Sequence, residues 1–106
     1  MSGTVIIFPH DRKARIFRAT KHPSLQRLRK VVGGHIEMVP LWTHYGGHPC
    51  VAYCNEEGKL EGLPVNPVAS IAWYRSVGRH MDDVLCGHVI CIINLPEDTR
   101  EEWQDE

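Results

Sequence analysis

The sequence predicts an α+β domain, a mostly antiparallel sheet of about five or six strands with two helices packed on one face. Short β-branched runs bounded by Pro, Gly or Asn recur along the chain, as in "TVIIF" (4–8) and "HVICIIN" (88–94). Two further stretches have helical start and stop residues, and the first of them spaces its apolar residues by three and four. The elements come in the order β-β-α-β-β-β-α-β, which suits a sheet built largely from antiparallel returns.

Thr4 to Phe8 reads as the first strand, stopped by Pro9. "HDRK" supplies turn residues and "ARIFRA" returns, so Thr4–Ala19 reads as a hairpin. Arg15 and Phe17 fall on one face of the returning strand, Ile16 and Arg18 on the other, which suits an edge position or a partner surface. "HPSLQRLRKVVGG" is the clearest helix. Pro23 fits its first turn and Ser24 its cap. Leu25, Leu28, Val31 and Val32 form one apolar stripe, and Arg27, Arg29 and Lys30 crowd the carbonyl end, where the helix dipole favours cations. Gly33-Gly34 stops it.

"HIEMVPL" follows as a strand limited by Pro40, "WTHYGGHP" as a loop and "CVAYCN" as another strand. Gly58 closes a tight connection, after which "KLEGLPV" is expected to return antiparallel. Asn66-Pro67 then starts the second helix, an N-cap worth ~1 kcal/mol followed by proline at the first helical position. That helix is expected to bury Val68, Ile71 and Ala72 and to end at Gly78. After a loop containing Met81-Asp82-Asp83, "HVICIIN" is the most hydrophobic strand and reads as central, buried on both faces. Residues 1–94 are thus expected to form one domain, and 95–106 an acidic tail.

The 106 residues suit a single core, and 42% hydrophobic and 24% charged content is ordinary for a soluble globular chain. No apolar run approaches the ~20 residues needed to cross a bilayer. "MSGTVIIFPH" lacks the basic and long apolar regions of a signal peptide, so a cytoplasmic location is expected. In that compartment Cys50, Cys54, Cys86 and Cys91 are thiols or metal ligands rather than disulfides. The net charge of −1 hides a segregation. Eight Lys/Arg and no acid lie between Arg12 and Lys30, whereas Glu97–Glu106 holds six acids against Arg100. Arg12, Arg15, Arg18 and Arg27 are therefore candidate anion-binding residues, with a solvated surface as the plain alternative.

Catalytic and metal signatures are weak. His48, Cys50 and Cys54 share strand parity, as do Cys86 and His88, but HxC, CxxxC and CxHxxC are not zinc spacings. No metal and no cofactor is expected. The chain has no G-x-S-x-G, P-loop or G-x-G-x-x-G, so a small Cys/His enzyme ranks behind the binding readings. Clustered cations would attract nucleic-acid phosphates, yet the pI of about 6.6 and the scarcity of aromatics argue against a dedicated non-specific binder.

Three segments, "VVGGHIEMVPL", "YCNEEGKLEGLPVNP" and "DDVLCGHVI", carry a likeness. They resemble small phage- and plasmid-borne proteins that share a domain of unknown function, with the pattern VGGxIExV followed by NEEGKLxGLPxN. The likeness covers Leu25 to Ile93, and His35 stands where that family often carries an aromatic. It implies a mobile-element origin and an accessory role without established chemistry. Within it, Glu37, Asn55, Glu56 and Asn66 form a candidate ligand-binding set, against the alternative that both asparagines cap backbone. The expected function is a non-enzymatic phage or mobile-element accessory protein that binds a host protein or factor, or a small signalling molecule, a nucleotide-like ligand being one candidate. The alternative is a nucleic-acid-associated regulator using Arg12–Lys30. No membrane partner is expected, and self-association stays open.

Overall fold

In the computed structural model, which describes residues 2–96 and Thr99, six strands and two helices follow one another. They are β1 (Gly3–Phe8), β2 (Arg15–Ala19), α1 (Leu25–Val32), β3 (Ile36–Met38), β4 (His44–Tyr45), β5 (His48–Asn55), α2 (Pro67–Val77) and β6 (Val89–Ile93). The sheet runs β2-β1-β6-β5-β3, with β4 paired to the start of β5, and every pairing is antiparallel. The α+β class and the strand number are as the sequence predicts. Apart from Leu95, Pro96 and Thr99, the expected acidic tail lies outside the described residues. Among the described residues, no helix is long and apolar enough to cross a membrane.

The arrangement of the helices is a correction: they pack on opposite faces, not on one. Strand alternation sends Val5, Tyr53, Ile90 and Ile92 to one side, where they meet Leu28 and Val32 of α1. The intervening residues Ile6, Phe8, Ala52, Cys54, Val89, Cys91 and Ile93 face the other side and meet Ala69 and Trp73 of α2. All five residues of β6 are buried. A strand apolar on both faces requires a covering layer on each, so the composition of "VICII" already demanded helices on both sides.

Both helices begin and end on the expected residues. Ser24 Oγ accepts the Arg27 N–H at 3.2 Å, and Gly33 closes α1 with φ 81°. Asn66 caps α2 ahead of Pro67, and Gly78 closes it with φ 89°. The buried face of α2 differs from expectation. Ala69, Ser70 and Trp73 are buried, whereas Val68 and Ile71 are exposed. Trp73 sets this rotation: its ring is enclosed and its Nε1 donates to Pro40 O at 2.8 Å. Ser70 Oγ locks it, accepting from Leu85 N at 2.9 Å and donating to Asn66 O at 2.8 Å.

Two strand assignments also change. "KLEGLPV" does not return as a strand. Turns occupy 59–62, and only an isolated bridge joins Val65 to Cys86. Both edges of β5 are already taken, one by β6 and the other by β3 and β4, so no ladder remains for a return. Conversely, the expected loop 42–49 contains β4 and a two-residue hairpin. Gly46 and Gly47 both have positive φ, 58° and 82°, the geometry that matches strand twist in such turns.

Asn66 holds more than a helix cap. Its side chain is fully buried; Nδ2 donates to Phe8 O at 2.7 Å and Gly87 O at 2.8 Å, and Oδ1 accepts from Ala69 N at 3.0 Å. Asn66→Ala strands two buried carbonyls and a helix N–H, so the expected loss is about 3 kcal/mol rather than the ~1 kcal/mol of a simple cap. The midpoint of urea denaturation measures it; a loss no larger than that of Ser24→Ala would contradict this role.

Candidate functional site

The four expected ligand-binding residues do not form one site. Glu37, Asn55 and Glu56 line a cavity of about 110 Å³ with Cys54, Lys59, Asp83 and Cys86, but Asn66 is absent from it. Asn66 is enclosed in the core by the bonds already described. The amide of Asn55 is also committed: Nδ2 donates to Val32 O at 3.2 Å, and Oδ1 accepts from Glu57 N at 2.8 Å. It ties the end of α1 to the end of β5, which is the backbone role weighed against ligand binding. An ion pair between Lys59 and Asp83 also lines this cavity. Ligand sites for drug-sized molecules usually run from roughly 300 to 1,000 Å³, so this cavity is too small for a nucleotide.

Its Cys54 thiol is also unsuited to nucleophilic attack. Burial, and then the nearby Glu37 carboxylate, push the Cys54 thiol up from 9.0 to about 11. On the same sheet face, hydrogen bonding with Cys50 and burial push Cys91 up, while that hydrogen bond lowers Cys50. All four cysteines are free.

The basic segment is divided by the fold. Arg27 lines a groove of about 430 Å³ between α1 and the β1–β2 hairpin, together with Lys21 and Lys30. The floor is apolar: Val5, Ile7, Ala19 and Ile90 from the sheet, Val31 from the helix, and the ring of Phe17. Among the described residues α1 packs mainly over β3, β5 and β6, and this groove lies beside it on the β1–β2 side of the same face. Register places Arg15 opposite Ile7 and Phe17 opposite Val5, so Arg15 projects to the groove face. Arg18 projects to the other face. Arg12 lies beyond the end of β1, paired with Asp11 at 2.7 Å.

A third cluster was missed by the sequence reading. His10 and His88 stack with ring centroids 4.7 Å apart and planes 15° from parallel. The His10 backbone N–H donates to His88 Nδ1 at 3.3 Å. Burial, and then His10, hold the His88 imidazole below its ordinary pKa. Among the described residues, His10, Asp11 and His88 are the set whose ligand-type atoms come together, all within 4.8 Å of one another. The Cys/His patches weighed from strand parity do not assemble such a set there. The usable signal was register: Phe8 pairs with Val89, which places the residues just beyond the ladder side by side.

The shifted thiol has a measurable consequence. Because folding raises the Cys54 pKa, its contribution to stability is complete below pH 9 and is lost as pH rises through about 11. Relative to Cys54→Ala, the native protein should lose on the order of 2 kcal/mol across that window. Denaturation midpoints measured at several alkaline pH values check this, and parallel pH profiles for the two proteins would contradict it.

A family model described as a domain of unknown function (DUF3846) matches residues 2–104. No curated protein and no solved structure matches the chain. With nearly the whole sequence covered, this chain belongs to the DUF3846 family of domains of unknown function.

Proposed function

We propose that this protein is a non-enzymatic accessory protein of phage or mobile-element origin that binds a small anionic, nucleotide-like ligand in the groove between α1 and the β1–β2 hairpin. One observation carries the reading: Lys21, Arg27 and Lys30 stand around an apolar floor containing Phe17, in a space of about 430 Å³. That volume falls within the usual range for small-molecule sites. Cations on the rim suit phosphate oxygens, and an apolar floor with an aromatic ring suits a base. Phe17 is 44% exposed, so its ring is available to a ligand. Mobile-element origin rests on the likeness of the VGGxIExV and NEEGKLxGLPxN segments to phage- and plasmid-borne proteins. A binding role, rather than catalysis, accords with the raised Cys54 thiol.

The nucleic-acid reading draws on Arg12 and Arg18, which lie outside the groove and spread the positive charge over the hairpin. It predicts a different salt response, since a polymer releases many counterions and a small ligand few.

Calorimetric titration with a panel of mono- and dinucleotides, alongside labelled DNA at two salt concentrations, tests the choice. A small nucleotide should bind saturably. Lys21→Glu and Lys30→Glu should each weaken it by about tenfold, the value of one hydrogen bond to a charged group. Phe17→Ala should weaken it by a similar factor. Binding of DNA alone, with a steep salt slope, would favour the regulator reading. Binding of neither would overturn both and leave a host protein as the partner class.

A further inference from the structure

We propose that His10, Asp11 and His88 form a binding site for a divalent transition-metal ion of the zinc type, at the end of the sheet where β1 and β6 finish. The site is independent of the groove and of its ligand.

Two imidazoles and one carboxylate are a set used by zinc and by other first-row divalent metals, and imidazole disfavours the hard cations magnesium and calcium. Three protein ligands leave at least one coordination position for water.

β1 and β6 pair through Phe8↔Val89, so His10 and His88 lie just past the last rung of the ladder. Beneath them Asn66 Nδ2 bonds both Phe8 O at 2.7 Å and Gly87 O at 2.8 Å. One buried amide therefore clamps the two chain segments that carry the histidines, and the foundation of the site is rigid.

The three donor atoms lie within 4.8 Å of one another. Bonds of about 2.0–2.1 Å in tetrahedral geometry need donors roughly 3.3 Å apart. The contraction falls on His10 and Asp11, which sit in a bend outside the strands, whereas His88 adjoins β6. His88 Nδ1 already presents a lone pair to the cluster, where it holds the His10 N–H over a long 3.3 Å. A cation would take that lone pair in place of the His10 N–H. The stacked rings must turn for their lone pairs to converge. Asp11 must also give up Arg12, and that pair is well exposed, with side chains 49% and 62% accessible, so exchanging it costs little.

The test uses the full chain, titrated with zinc by calorimetry and with cobalt by absorption spectroscopy, while two-dimensional NMR follows the histidine side chains. The expected result is one ion per chain, with shifts confined to His10, Asp11, His88 and their neighbours. His10→Gln and His88→Gln should each weaken zinc binding by at least about tenfold, the effect already seen for supporting residues around metal ligands. His44→Gln and His48→Gln should leave it unchanged. His10 lies in the bend and is the variant expected to keep the fold, verified by its NMR spectrum. Absence of saturable binding, one-to-one binding unaffected by His10→Gln, or a thiolate-to-cobalt charge-transfer band would each overturn the proposal.

Discussion

One buried asparagine holds together parts of the chain that are far apart in sequence. Asn66 is inaccessible to solvent, and its amide satisfies the carbonyls of Phe8 and Gly87 as well as the amide N–H of Ala69. Its own N–H donates to Leu85 O at 2.7 Å, and its carbonyl accepts from both the backbone and the side chain of Ser70. The start of α2, the end of β1 and the approach to β6 are therefore joined through one residue. In a low-dielectric interior each of these bonds is costly to leave unmade, so they fix the relative placement of three elements. The rotation of α2 follows, because Asn66 and Ser70 orient its first turn. Trp73 then reaches Pro40 and couples the helix to the β3–β4 edge.

The second constraint is coverage. Alternate residues of β1, β5 and β6 are apolar on both faces, and the chain covers each face with one helix. One eight-residue helix spans only part of a sheet face. With α1 packed mainly over β3, β5 and β6, Ile7, Phe17 and Ala19 stay partly exposed beside its basic edge. Sequence placed cations along α1 and in the segment between β2 and α1, for reasons of dipole and solvation. Packing then brought Lys21, Arg27 and Lys30 to the rim of an apolar floor. The pairing of charge with exposed apolar surface arises from incomplete coverage, not from any motif.

The contrast with the smaller cavity is one of commitment. Around Glu37 and Asn55, the Asn55 amide is spent on backbone and Lys59 is paired with Asp83. A ligand there would have to replace internal bonds that already hold α1 to β5. The floor of the groove beside α1 is built from apolar side chains among the described residues, so a ligand there meets mainly hydrocarbon. The conspicuous "NEEGKLEGLP" segment thus shapes turns and helix joints.

By itself, the sequence determined the elements whose causes are local. Ser24 with Gly33, and Asn66 with Pro67 and Gly78, set both helices, because capping acts within one turn. "TVIIF" marked a strand and "HVICIIN" a central one, and the mixed faces of "RIFRA" suited an edge or a partner surface, through composition and alternation alone. Tertiary structure decided whatever depends on distant partners. The return after Gly58 found both edges of β5 occupied, α2 rotated to seat Trp73, and the helices separated because β6 needed cover on each side. The same holds for function-bearing groups: His10 and His88 are 78 positions apart, and only the β1–β6 register brings them into contact. Local chemistry is written along the chain, whereas proximity across a sheet depends on which strands pair and in what register.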